Sequence, residues 1–209
     1  MIEDKNKDFS TQDYFAKVYV NKDRWVSYYW QTKLVSDLIT SGSVLEIGVG
    51  NALVADYLKH RYQVSTLDIN DKLNPDYIGS VEDLSFLAEK KFDVVVCAEV
   101  LEHLPFEKFK QSLQQMHSVS RRHVVISLPY WGYTFYVRIK LPKLGKHTFQ
   151  FKLNGFKRHR FNGQHYWEIG KRGYSVKKIK DEIVNSGFKI KTSFWDVDDP
   201  YHYYFVLEK

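Results

Sequence analysis

Between Ser43 and Leu128 the chain alternates short β-branched runs with amphipathic segments, and this alternation restricts the fold more than any other feature. SVLEIG (43–48) reads as a buried strand, NALVADYLKHR (51–61) as a helix and QVSTLDI (63–69) as a second strand. DYIGS (76–80) is a short extended piece, followed by a mixed polar and apolar segment from Val81 to Lys90. FDVVVCAE (92–99) is the most convincing central strand. A helix from Phe106 to Val119 and a strand HVVISL (123–128) complete the run. Strands joined through helices require right-handed crossovers, so a mostly parallel sheet covered on both faces is expected.

The flanks extend this reading. Apolar positions from Trp25 to Ile39 recur at helical intervals, with Gly42 as the stop. SVKKIKDEIVNSG (175–187) reads as a helix closed by its glycine. After it, FKIKTSFWDV and YHYYFVLEK are separated only by DDP, too short a link for a parallel crossover. The predicted fold is therefore α/β: a doubly wound, mostly parallel seven-stranded sheet ending in an antiparallel hairpin. A chain of 209 residues suits one domain spanning 1–209. Residues 1–41 form a helical extension in this reading, and 129–165 an insert. The insert is rich in aromatics and in Lys and Arg and is too short for its own core, so a lid or hairpin is expected.

The chemistry begins at Glu46-Ile47-Gly48-Val49-Gly50-Asn51-Ala52, where the first strand turns into the first helix. Glycines there let a ligand approach the backbone, and a helix N-terminus offers unpaired N–H groups. Asp68 ends the second strand, eighteen residues after Gly50, where its carboxylate can accept both hydroxyls of a ribose. A nicotinamide dinucleotide normally requires G-x-G-x-x-G, and Leu53 occupies the last glycine position. Glu46 beside the turn suits a cationic adenosyl sulfonium better than a pyrophosphate.

VLEIGVGNA, LDIN, GSVEDLSF and FDVVVCAEVLEHLP together resemble the class I S-adenosylmethionine-dependent methyltransferases, a Rossmann-like fold. The resemblance covers roughly residues 40–130 and leans toward ubiquinone-type, small-molecule O-methyltransferases. It implies S-adenosyl-L-methionine as cofactor, with Glu46, Gly48 and Gly50 at the methionine end. Asp68 would hold the ribose and Ile69 would pack on the adenine. Ser80 stands where many relatives carry an acid for the adenine amino group, and Val81 follows with its backbone N–H. Ala98 and Glu99 would face the sulfur end. Ala52 replaces the family's third glycine.

Methyl transfer needs positioning first, and a base only where the nucleophile must lose a proton. The candidate catalytic residues are His103, Glu99 and His165. Helical spacing would set Glu99, Glu102 and His103 on one side of a turn. The E-x-x-E-H pattern also resembles metal-ligating motifs of ubiquinone-pathway and small-RNA methyltransferases, with His165 as a further ligand. The same pattern is widespread in relatives without metal, where it braces a loop, and the reading carries no metal. Pro129-Tyr130 resembles a proline-aromatic motif of amino-group methyltransferases but follows the wrong strand. Tyr166 and Trp167 fit equally an acceptor pocket and the start of a helix in the core.

The expected acceptor is a small molecule, glycan or lipid-linked compound, methylated on oxygen. Basic residues interleaved with aromatics in the insert leave RNA as a weaker alternative, and a non-catalytic binding protein on the same fold as another. A net charge of +6 permits an anionic partner without requiring one. Cys97 is the single cysteine, so no intrachain disulfide is possible, and its apolar strand marks it as core. The charged N-terminus is unlike a signal peptide, and no apolar run reaches the ~20 residues of a membrane span. The expected location is cytoplasmic.

Overall fold

The computed structural model describes residues 11–15, 21–143 and 145–209. Residues 1–10, on which the leader-peptide expectation rests, lie outside the described residues, as do 16–20 of the expected helical extension. A helical turn α1 (Thr11–Tyr14) and the helix α2 (Lys22–Leu38) precede β1 (Ser43–Ile47), α3 (Leu53–Lys59) and β2 (Gln63–Asp68). Then come β3 (Tyr77–Ile78), β4 (Phe92–Ala98), α4 (Phe109–Val119) and β5 (Ser120–Pro129). A ribbon of β6 (Tyr133–Leu141) and β7 (Gly145–Leu153) intervenes before α5 (Val176–Asn185), β8 (Lys189–Asp196) and β9 (Asp199–Glu208).

Seven strands form one sheet in the order β3-β2-β1-β4-β5-β9-β8. The first five run parallel, and β9 is antiparallel to both β5 and β8. Strand period puts alternate residues on opposite faces. Val44, Val94, Val96, Val125, Tyr204 and Val206 pack under α2 and α3. Their neighbours Leu45, Ile47, Val95, Ile126 and Phe205 pack under α4 and α5, together with the buried Cys97. The fold predicted from the alternation is the one formed.

Several boundaries differ, each for a local reason. Helix α2 ends at Leu38, with Ile39 already extended, so Gly42 is not its stop. Gly42 instead takes φ +136° beside Asp93, where a Cβ would meet Oδ2 at 2.6 Å. That carboxylate accepts hydrogen bonds from the Ser43 amide (2.8 Å) and hydroxyl (3.0 Å). Helix α3 starts late because Ala52 adopts a left-handed φ of +60°. Phe106–Lys108 is a 3₁₀ turn leading into α4. The Val81–Lys90 segment forms only a 3₁₀ turn at Ser85–Leu87. In the final hairpin Asp196 pairs with Asp199, so the link is Val197-Asp198, and Asp199 and Pro200 already belong to β9.

The insert contains a two-stranded ribbon, β6 paired with β7, separate from the main sheet. Among the described residues no helix is long and apolar enough to cross a membrane.

Candidate active site

At the carboxyl ends of β1, β2 and β4 a cleft of ≈ 670 Å³ opens. This is a usual size for a cofactor-sized ligand. Glu46, Gly48 and Gly50 line it from β1 and its turn, and Asp68 and Ile69 from the end of β2. Ser80 and Val81 enter after β3, and Ala98 at the end of β4. His103, Glu99 and His165 line the same space. Every residue picked from the motifs converges on one cleft.

The turn after β1 is built on left-handed backbone: Gly48 at φ +85°, Gly50 at +55° and Ala52 at +60°. A Cβ on Gly48 would lie 2.4 Å from Val100 Cγ2. Much of its donor capacity is used internally, contrary to the expected row of open N–H groups. The Gly48 amide donates to the Leu67 carbonyl (2.8 Å), Ala52 to Val49 (2.9 Å) and Leu53 to Asn51 Oδ1 (3.3 Å). The Val49 amide donates to Asp68 Oδ2 at 2.8 Å. A pyrophosphate would need those donors; a ligand without phosphate does not.

Asp68 Oδ1 accepts from the Asn70 amide at 2.9 Å. Each carboxylate oxygen has a second lone pair, so ribose hydroxyls remain acceptable partners. Glu46 is buried, and its Oε2 has no hydrogen-bond partner. Burial pushes its pKa up to about 8. The Ser80 hydroxyl accepts from the Glu82 amide at 3.2 Å, and the Val81 side chain belongs to the core. Glu82, two residues after the position where relatives carry their acid, also lines the cleft, 3.4 Å from Lys108 Nζ.

At the other end the expected helical turn is absent. Glu99 takes φ +55°, and Leu101–His103 is a 3₁₀ turn. Glu99 Oε1 accepts from the Ser127 hydroxyl (3.1 Å), while Oε2 stands 3.5 Å from His202 Nε2, at ion-pair distance. His202 Nδ1 lies 2.6 Å from Asp199 Oδ1, and the Tyr204 hydroxyl donates to Asp199 Oδ2. Burial alone would lower the His202 pKa; Glu99 and Asp199 outweigh it and raise it. Glu102 is fully buried with neither carboxylate oxygen hydrogen-bonded. Burial, and then the charge of Glu99, hold its pKa well above the usual carboxylate range.

His103 Nδ1 is 3.1 Å from the Gln164 carbonyl oxygen. A carbonyl only accepts, so Nδ1 carries the proton and Nε2 is the basic nitrogen. The His165 ring meets His103 edge-on at 5.0 Å, with His165 Nδ1 3.2 Å from Glu168 Oε1. The Tyr166 amide donates to the Glu102 carbonyl (2.8 Å) and the Trp167 indole to the Leu104 carbonyl (3.1 Å). These bonds hold the segment after the insert against the 3₁₀ turn. Trp167 is thus core, and neither aromatic starts a helix, since α5 begins at Val176. Glu102, His103 and His165 each offer a ligand atom within 4.8 Å of the others, a donor set adequate for a divalent cation. Glu99 is outside that group.

The motifs gave no sign of other cleft residues. Tyr14, Arg24, Tyr28 and Gln31 reach in from α1 and α2, and Tyr201 from β9. The one available signal was polar: Ser27 and Gln31, four apart on α2, are both buried and joined by a 3.1 Å hydrogen bond.

Residues 45–127 match a family described as a methyltransferase domain. By the domain it carries, the protein is an S-adenosylmethionine-dependent methyltransferase. No curated protein matches it. Among solved structures, the methyltransferase is similar to CcbJ from Streptomyces caelestis at 12% identity, over 98% of each chain, with a TM-score of 0.62. It is also similar to magnesium protoporphyrin IX methyltransferase from Synechocystis PCC 6803, solved with S-adenosylhomocysteine. That likeness has 15% identity over 95% of this chain and 92% of the other, with a TM-score of 0.61. A third likeness is to 1,6-didemethyltoxoflavin-N1-methyltransferase from Burkholderia thailandensis, at 14% identity over 95% and 86%, TM-score 0.60. At such identities these likenesses concern the fold.

The methyltransferase should tolerate no side chain at position 48. Gly48→Ala combines the Val100 clash with strained φ and is expected to cost about 2–4 kcal/mol in denaturant unfolding. Val100→Ala in the same chain should restore part of the loss, because it relieves the clash but not the backbone strain.

Proposed function

We propose that this methyltransferase is a single domain, 1–209, with an N-terminal extension (1–41) and an insert (129–165), that methylates an oxygen of a small-molecule, glycan or lipid-linked acceptor. In this reading it stands nearest the ubiquinone-type O-methyltransferases. The observation carrying it is His103: an imidazole lining the cleft, with its tautomer set by the Gln164 carbonyl.

S-adenosylmethionine, when bound, supplies a methyl group already activated on a sulfonium. Glu46, Gly48 and Gly50 hold its methionine end; Asp68 takes the ribose hydroxyls; Ile69, Ser80 and Val81 border the adenine; Ala98 closes the sulfur end. Unpartnered, buried Glu46 Oε2 fits a cationic group. At the acceptor end His103 Nε2 takes the hydroxyl proton, while His165 braces the ring from its edge. Glu99, backed by His202 and Asp199, orients the acceptor and keeps negative potential beside the reacting oxygen. Solved neighbours named for a porphyrin and a toxoflavin precursor support a small-molecule acceptor. Nucleic acid is the weaker partner, because Arg138 is engaged by Asp198 and Lys152 by the Tyr130 carbonyl.

A second reading rests on buried Glu102 with His103 and His165: a divalent cation at the acceptor end. Loss of turnover on chelation and recovery with Mg²⁺ or Mn²⁺ favours it; indifference to chelator rejects it.

Two outcomes test the main proposal. With a pKa of about 8, Glu46 is mostly protonated at neutral pH and must ionise to hold a cation. Donor affinity should therefore rise from pH 6 to pH 8, with proton release measurable by calorimetry in buffers of different ionisation enthalpy. Glu46→Gln should flatten that dependence. His103→Ala should lower kcat by about 10²–10⁴ in a labelled-methyl assay over hydroxylated acceptors, with donor affinity unchanged. Unaltered turnover would remove His103 as the base.

A further inference from the structure

The insert is an amphipathic ribbon facing the wrong way for a protein core. Tyr133, Phe135, Val137, Ile139 and Leu141 alternate along β6, and Leu153, Phe151 and Phe149 stand opposite the first three on β7. These eight side chains share one face, each 42–71% exposed. The other face holds the ribbon to the protein. Arg138 pairs with Asp198 at 2.8 Å, Gln150 donates to the Trp195 carbonyl at 3.1 Å, and Lys152 donates to the Tyr130 carbonyl at 2.8 Å. Lys152 Nζ also sits 3.9 Å from the Tyr130 ring centroid. Half-buried strands ordinarily turn their apolar side inward. Here polar contacts from the opposite face hold the ribbon, itself exposed at Tyr136, Arg138, Lys140, Thr148 and Gln150, and the apolar side is left outward.

We propose that this apolar face docks the protein on an anionic lipid bilayer. Charge selects that occupant. Lys140, Lys143 and Lys146 cluster at the ribbon tip, and Lys157, Arg158 and Arg160 follow in the next loop, all exposed. No Asp or Glu occurs between Pro129 and Trp167. Aromatic rings beside lysines and arginines suit the headgroup boundary, where rings enter the acyl edge and cations meet lipid phosphates. A second copy of the chain fits less well. Two strands of nine residues give a face roughly 30 Å by 10 Å, on the order of 300 Å², against about 800 Å² per partner for a stable interface. Self-pairing would also bring like charges together. The ribbon leaves the sheet from the carboxyl end of β5, the end at which the cleft opens. Docking therefore brings that end of the sheet toward the bilayer. The inference does not depend on which acceptor is methylated.

The test is co-sedimentation of the full chain with phosphatidylcholine vesicles, with and without about 30% phosphatidylglycerol, across a salt series. Retention on anionic vesicles should exceed that on neutral ones by about tenfold and weaken with salt. Combined Phe135→Ser, Phe149→Ser and Phe151→Ser should reduce retention about tenfold, with the thermal melting temperature unchanged because the face is exposed. Combined Lys140→Glu, Lys143→Glu and Lys146→Glu should remove the preference for anionic lipid. If the triple Phe variant loses its fold, Phe149→Ser alone, at the most exposed of the eight, takes its place. No retention on anionic vesicles at low salt, or retention untouched by either set, overturns the proposal. So does a dimer that the Phe variant dissociates without any lipid binding, or capture on immobilised polyuridylate in place of vesicles.

Discussion

The hydrogen bond from the Val49 amide to Asp68 ties the turn after β1 to the end of β2, the two edges of one half of the cleft. One partner lies in the turn after β1 and the other ends β2, so the bond fixes the height of the turn against the neighbouring strand. The Gly48 amide on the Leu67 carbonyl adds a second tie at the same place. Only then do the left-handed residues make sense. With the turn held this close to Val100, Gly48 has no room for a Cβ, and Ala52 must absorb the reversal that starts α3. The result is a rigid rim that consumes its own amides and presents carboxylates, a surface suited to a cationic ligand and poor for an anionic one.

Across the cleft the constraint is different in kind. Glu99, Glu102, His202, Asp199 and Tyr204 crowd a largely buried region where β4, β5 and β9 meet. Ionising several such groups in a low-dielectric interior is costly unless each charge is paired. His202 lies between two carboxylates, which offsets its own burial and raises its pKa. Glu102 has only the His103 ring nearby, 4.0 Å from Oε1, and burial and the charge of Glu99 raise its pKa well above the usual carboxylate range. A core built for stability alone would hold apolar side chains here, so the presence of this group at the cleft wall fits a role in handling charge or protons.

How much of this could be read beforehand depended on sequence distance. The half of the cleft at the ends of β1 and β2 comes from strand–turn–helix units within one stretch of chain, where glycine and carboxylate spacing is set by local geometry; that Glu46, Gly48, Gly50 and Asp68 line one cleft was legible for that reason. The opposite half is assembled from α2, the 3₁₀ turn after β4, the segment after the insert and β9. No spacing rule links Gln31 to His165 or Glu99 to His202. Helix ends failed for a related reason. Gly42 has the residue type of a helix stop, but its left-handed φ serves the Asp93 contact that begins β1. The EVLEH stretch has helical spacing, yet the positive φ of Glu99 breaks the helix before it starts.

The ribbon shows the same limit from the opposite direction. Its composition was plain, but which face met the protein depended on partners far away in sequence. Arg138 finds Asp198 and Gln150 finds the Trp195 carbonyl, both in the terminal hairpin. An isolated two-stranded ribbon is marginal in water, and packing normally rescues it through its apolar side. Here the rescue comes from polar contacts along the opposite face, which orient the strands without covering the rings. Covering those rings with protein would have cost nothing in charge. That the chain instead leaves a continuous aromatic face bare, with lysines at its tip, means its desolvation awaits something outside the fold.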